Sequence, residues 1–117
     1  MQNRVRDAKK EDLWSLMNQG SGIPRGYIVK RRGQLAEPGR AILEAVGIDI
    51  DDPVNHVAVS TKMHWHMHTA LYILSVNALL RASYELSDNK TKRHVNVVLA
   101  LSFIKETIRI IDQAINQ

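Results

Sequence analysis

Residues 55–72 read NHVAVSTKMHWHMHTALY, and the fold turns on how this stretch is divided. Residues 56–60 alternate in the manner of a short, half-buried strand. From about residue 62 the apolar positions change to a helical period, which predicts one long helix over about 62–86. That helix carries Met63, Met67, Leu71, Tyr72, Ile73, Leu74, Val76, Leu79 and Leu80. A helix apolar on nearly every side is buried in its own domain or in an oligomer interface. Four of the five histidines fall between residues 56 and 68. His64 and His68 are four residues apart, which on a helix puts both imidazoles on one face, one turn apart. Two such nitrogens can meet one divalent cation at about 2.0–2.1 Å each. His66 lies about 200° round the helix from His64 and is excluded from that face. The competing reading is a buried imidazole pair that only forms hydrogen bonds.

Toward the C-terminus, the segment SDNKT supplies capping residues at 87–91, and a second helix is expected over about 90–115. Its C-terminal half is amphipathic through Leu101, Ile104, Ile108, Ile111 and Ile115. Toward the N-terminus, DIDDP (residues 49–53) lacks both the glycine and the closing glutamate of a calcium loop, so its aspartates are read as caps. AEPGRAILEAVG (36–47) predicts a helix over about 37–46, with Pro38 in the tolerated first turn and Gly47 as its C-terminal stop. RGYIVKRRG (25–33) predicts a strand or hairpin arm over about 26–32, from Tyr27, Ile28 and Val29, closed at Gly33. QGSGIP breaks the chain before it, and a first short helix is expected over about 8–18. The expectation is an α+β, predominantly helical domain spanning 1–117.

Composition narrows the function. The chain has 117 residues, 44% of them apolar and 24% charged, as a folded globular domain has. It has no cysteine, so any metal must be held by histidine, carboxylate or amide groups. The N-terminal residues carry positive charge without a following apolar run, so no signal peptide is expected. No stretch has the apolar length of a membrane span, and the expected location is cytoplasmic. The net charge is +4. Residues 1–47 carry nine Lys/Arg against five Asp/Glu, whereas residues 48–117 carry seven of each. The densest cationic group is Arg25, Lys30, Arg31 and Arg32, which would attract a polyanion such as nucleic acid; the plainer reading is a solvated loop. There is no phosphate-binding glycine loop and no Gly-x-Ser-x-Gly elbow. His94 is read as structural, and Trp14 and Trp65 as core residues rather than stacking platforms.

GRAILEAVGIDIDDPVNHVAVS, followed by HWHMHTALYILSVNALL, resembles the AHH branch of the HNH/endonuclease VII nucleases, a family of bacterial toxin nucleases. The resemblance runs over about 40 residues. It is carried by Arg40 to Leu43, Gly47 to Ile50, Asn55, Val57, His64, His68, Thr69, Tyr72, Val76, Asn77 and Leu80. It implies a small ββα-metal core with long C-terminal helices, and metal-dependent hydrolysis of phosphodiester bonds in nucleic acid. His64 and His68 would hold one divalent ion, magnesium or zinc. In the family a histidine pair on the first strand, within Ala-His-His, supplies a further ligand and the general base. Here Arg25-Gly26-Tyr27 precedes Ile28-Val29 instead. A tyrosine, with an ordinary pKa of about 10, is a poor base at neutral pH. His56 is the candidate replacement, with Arg25, Lys30, Arg31 and Arg32 as phosphate contacts. The alternative is a catalytically degenerate relative that binds nucleic acid or a protein. The resemblance further implies delivery by a secretion system into a target-cell cytoplasm and an immunity partner. The apolar helix suggests a homodimer.

Overall fold

The computed structural model describes residues 25–117; the helix expected at 8–18, with Trp14, lies outside them. Strand β1 (Arg25–Tyr27) pairs antiparallel with β2 (His56–Ala58), placing Arg25 opposite Ala58, Gly26 opposite Val57 and Tyr27 opposite His56. Between them run helix α1 (Glu37–Ala45) and a 3-10 turn at Pro53–Asn55. After β2 come α2 (Thr61–His66), α3 (Ala70–Glu85) and α4 (Lys90–Ile115). The result is α+β and mostly helical, with a two-stranded sheet.

Helix α1 starts with Pro38 in its first turn and ends as its sequence predicts. Gly47 adopts φ 75°, its amide bonds the Glu44 carbonyl, and the Ile48 amide bonds that of Leu43. This is the Schellman arrangement, and it brings Ile48 and Leu43 into the same buried cluster. Asn89 caps α4 by accepting from the Lys92 amide, and Ser60 caps α2 by accepting from Met63.

Two expectations change. The helix expected over 62–86 is two helices. Thr69 takes an extended conformation at φ −78°, ψ 150°. Its hydroxyl donates to the His66 carbonyl and accepts from the Tyr72 amide. A threonine that satisfies both helix ends with its own side chain removes the reason for the backbone to stay helical there. The strands are also shorter than the 26–32 and 56–60 expected, because Asn55 draws the chain out of the sheet just after β1, as described below.

The core gathers Ile28, Leu43, Val57, Val59, Leu80, Val97, Leu101 and Ile108. Helix α2 turns Met63 and Met67 into it. Trp65, two residues from each and so about 200° away, points outward and is 70% exposed, contrary to its reading as core. Helix α3 buries Ile73, Val76 and Leu80 while Leu71, Leu74 and Leu79 stay exposed. Leu80 is fully buried, so Leu80→Ala is expected to cost about 2–5 kcal/mol in urea-induced unfolding. A loss below about 1 kcal/mol would place this side chain outside the cooperative core.

Candidate nucleic-acid and metal site

β1 leads into a loop over residues 28–36 whose backbone is held by four side chains from three elements. Asn55, fully buried, accepts from the Val29 amide at 2.8 Å and donates to the carbonyls of Val29 and Ile50 at 3.1 and 2.9 Å. The carboxamide thus takes the place of a partner strand at Val29, and the chain leaves the sheet. Tyr72, from α3, donates its hydroxyl to the Ile28 carbonyl at 2.8 Å. Burial raises the Tyr72 pKa well above that of an ordinary phenol, which keeps it a donor. Arg40, from α1, donates to the carbonyls of Lys30 and Gly33 at 3.2 and 2.6 Å. Asn77, from α3, donates to that of Leu35 at 2.7 Å. Gly39 allows this approach: a Cβ there would meet the Asn77 Oδ1 at 2.8 Å and Val29 Cγ1 at 3.2 Å.

The pinned loop and α2 enclose a cleft of about 320 Å³, lined by Arg25, Gly26, Tyr27, Lys30, Arg31, Arg32, His64, Met67 and His68. The four cationic residues singled out in the sequence and the histidine pair therefore share one cleft. Among the described residues its lining holds no carboxylate. The Arg25 guanidinium lies over the Tyr27 ring, 4.8 Å from its centroid.

His64 occupies the last turn of α2, and His68 lies just beyond it, where its amide bonds the Trp65 carbonyl three residues back. This tighter turn keeps the pair together despite the break at Thr69. Their Nε2 atoms are 3.4 Å apart, with the rings nearly perpendicular. Two nitrogens at that separation, each about 2.05 Å from a common ion, subtend about 110°, the tetrahedral angle. The separation is compatible with two positions around a divalent cation, and it is equally that of a hydrogen bond between the two rings. No third protein donor joins them: among the described residues no group of three or more His, Asp or Glu could hold a metal. Partial burial, the Lys30 ammonium and His64 all lower the His68 pKa, which favours the neutral imidazole that metal binding requires.

The two candidate bases are placed differently. His56 is only 2% exposed, packs edge-to-face against Tyr27 with centroids 4.6 Å apart, and does not line the cleft. Tyr27 does line it, but its hydroxyl donates to Asp51 Oδ1 at 2.8 Å. Asp51 is fully buried, and its other oxygen lies 3.6 Å from Arg31. Asp51 thus orients two cleft residues, a role the sequence reading gave to no aspartate. Its neighbours do cap: Asp49 accepts from the Asp51 amide and Asp52 from that of Val54. His66 is exposed and off the cleft, and His94 binds the Val46 carbonyl through Nδ1 at 2.6 Å, a structural contact.

Over residues 21–108 the chain matches the family described as AHH, a nuclease family of the HNH/ENDO VII superfamily with conserved AHH. No curated protein and no solved structure matches it significantly. The matched region includes Arg25-Gly26-Tyr27, and the chain contains no Ala-His-His. At Gly26 the vacant side-chain position is filled by Met67, whose Cε would lie 2.8 Å from an added Cβ.

Asn55→Ala leaves the buried amide and carbonyl of Val29 without partners. The expected cost is about 2–4 kcal/mol in urea unfolding, with faster hydrogen exchange at the Val29 amide. Unchanged exchange there would mean that the loop is held by its other contacts.

Proposed function

This chain belongs to the AHH family of nucleases, and from that premise we propose that its cleft binds the phosphodiester backbone of nucleic acid and hydrolyses it with the help of a divalent metal. The observation that carries this reading is the convergence of His64 and His68 at a chelating separation within a cleft that also collects Arg25, Lys30, Arg31 and Arg32. The four cations attract the backbone phosphates and hold them against the histidine pair. His64 and His68 would be the protein's two metal ligands, and magnesium and zinc are the candidate ions. A divalent ion bound there would supply Lewis acidity toward a phosphodiester oxygen and stabilise the charge that develops on the leaving oxygen. Asp51 holds both Tyr27 and Arg31, and the Tyr27 ring supports Arg25 at the cleft wall, so Tyr27 positions a cation rather than taking a proton. His56 remains the candidate base only if its ring gains access to the cleft. The toxin role, a bacterial source, delivery into a target-cell cytoplasm and an immunity protein belong to this proposal and rest on the resemblance of residues 40–80. A homodimer also belongs to the proposal, drawn from the apolar helix and supported by the exposed apolar groove of Leu79, Leu86, Leu99 and Phe103 between α3 and α4. No helix among the described residues is long and apolar enough to cross a membrane.

A second reading, a nuclease-fold protein that binds nucleic acid without cutting it, is favoured by one specific observation. Neither base candidate is positioned to take a proton in the cleft: His56 is buried, and the Tyr27 hydroxyl is engaged. Loss of a general base costs about 10²–10⁴-fold in rate.

Calorimetric titration with magnesium, manganese and zinc separates the readings. The hydrolytic reading expects binding that the His64→Ala/His68→Ala double variant loses, and strand cleavage that returns when metal follows chelation and is abolished by His68→Ala. If metal binds neither protein and no cleavage appears, the binding-module reading stands. Salt dependence tests the phosphate contacts separately. In Lys30→Ala/Arg32→Ala the slope of log K against log salt should fall by about 1.4–1.8, and an unchanged slope would remove these two residues from the interface.

A further inference from the structure

Trp65 stands beside the cleft with 70% of its surface in solvent. An indole is among the largest apolar side chains, and leaving one in water forgoes a large burial gain. Here the helix register forces it out, because Met63 and Met67 take the inward positions. Trp65 does not belong to an apolar patch on α2: the flanking exposed residues are Lys62 and His66. Its ring lies 6.2 Å from that of His68, and His68 meets His64 at the cleft. The indole therefore borders the histidine that lines the cleft together with the cationic residues.

We infer that Trp65 is a stacking platform for an unpaired base, and that the nucleic acid taken by this cleft is single-stranded or locally unpaired. The inference rests on the proposed binding of phosphates in the cleft. A strand whose phosphates lie along Lys30, Arg31 and Arg32 must direct its bases outward, and the exposed aromatic face at the rim is where one of them lands. Stacking accepts any base, since every base has a π-face, but it requires that face to be free. In a duplex both faces of each internal base are covered by its neighbours, so an intact duplex cannot use this platform. Trp65 thus selects the form of the strand, while the cations supply the sequence-independent attraction.

The test measures binding of fluorescein-labelled probes to the full chain by anisotropy, in chelator so that no probe is cut. Three probes are compared: a short oligothymidine, an abasic strand with the same number of phosphates, and a duplex. The wild-type chain should bind the oligothymidine more tightly than the abasic strand and the duplex. Trp65→Ala should weaken oligothymidine binding by about tenfold and erase the difference from the abasic strand. Trp65→Phe should retain part of that difference. On a Trp14→Phe background, where Trp65 is the sole tryptophan, oligothymidine should quench the indole fluorescence and the abasic strand should not. Trp65 is exposed, so its replacement is not expected to unfold the chain, and circular dichroism checks this. If Trp65→Ala binds all three probes like the wild type while Lys30→Ala/Arg32→Ala binds them weakly, the cleft reading stands and the stacking platform is overturned. Tighter wild-type binding to duplex than to oligothymidine also overturns it. If no probe binds, both inferences fall together.

Discussion

Asn55 sits where the sheet ends and the cationic loop begins, and its carboxamide makes the separation possible. An amide can accept and donate in the same plane, so it can occupy both the N–H and the C=O of Val29 as a neighbouring strand would. A second donated bond to Ile50 ties the same side chain to the segment that holds Asp51. With the polar groups of Val29 satisfied, the backbone can leave β1 at once and still remain buried at Ile28 and Val29. Everything beyond, from Lys30 to Leu35, depends on that anchor, with Arg40 and Asn77 fixing the carbonyls further along. The cations are therefore carried on a braced loop, which lowers the conformational entropy lost when an anionic ligand is held there.

The other wall of the cleft is set by a competition within α2. The last turn tightens as the His68 amide reaches back three residues, and Thr69 then stops the helix with its own hydroxyl. Without that stop the apolar pattern would carry α2 straight into α3, and the short helix could not follow its own packing direction. Met63 and Met67 hold it to the core from one side, and Ser60 anchors its start to Asp112 of α4. The histidines and Trp65 are what remain facing outward. Their placement follows from two buried methionines and from the tightened turn in which the His68 amide bonds the Trp65 carbonyl.

Features encoded by neighbours in sequence were legible. The Schellman end at Gly47, the Asn89 cap and the His64/His68 pair each depend on residues within five positions of one another, and spacing alone is enough to infer them. The gathering of Arg25, Lys30, Arg31 and Arg32 was visible as charge density, though not its meeting with the histidines. What could not be read depends on long-range partners or on a local contest between equal options. Asn55 acts on Val29 across 26 residues, Tyr72 on Ile28 across 44 and Asn77 on Leu35 across 42. Nothing in the sequence near these residues marks them as braces. Thr69 failed to register because a single hydroxyl outweighed a long apolar period. Asp51 looked like its capping neighbours, and only its burial beneath Tyr27 and Arg31 sets it apart.

Asp51 also determines the electrostatic character of the cleft. A carboxylate this close to two arginine-bearing segments could have projected into the opening and neutralised it. Instead it is fully buried and directed at the Tyr27 hydroxyl and the Arg31 guanidinium from behind. Among the described residues, the charged and titratable groups left at the opening are the cations, the imidazoles and the Tyr27 phenol, with no carboxylate. Such a surface repels a free divalent ion, and Lys30 already disfavours a second positive charge at His68. If a metal binds at the histidine pair as proposed, the cations of the cleft would weaken that binding without abolishing it. A phosphate backbone would relieve that repulsion, because it would neutralise the cations and offer oxygen donors beside the two nitrogens. By linkage, whatever nucleic acid does for metal affinity, metal must do for nucleic-acid affinity in equal measure. On the proposed reading, His64 and His68 would supply only two of an ion's ligands, and the others would come from solvent and the bound strand.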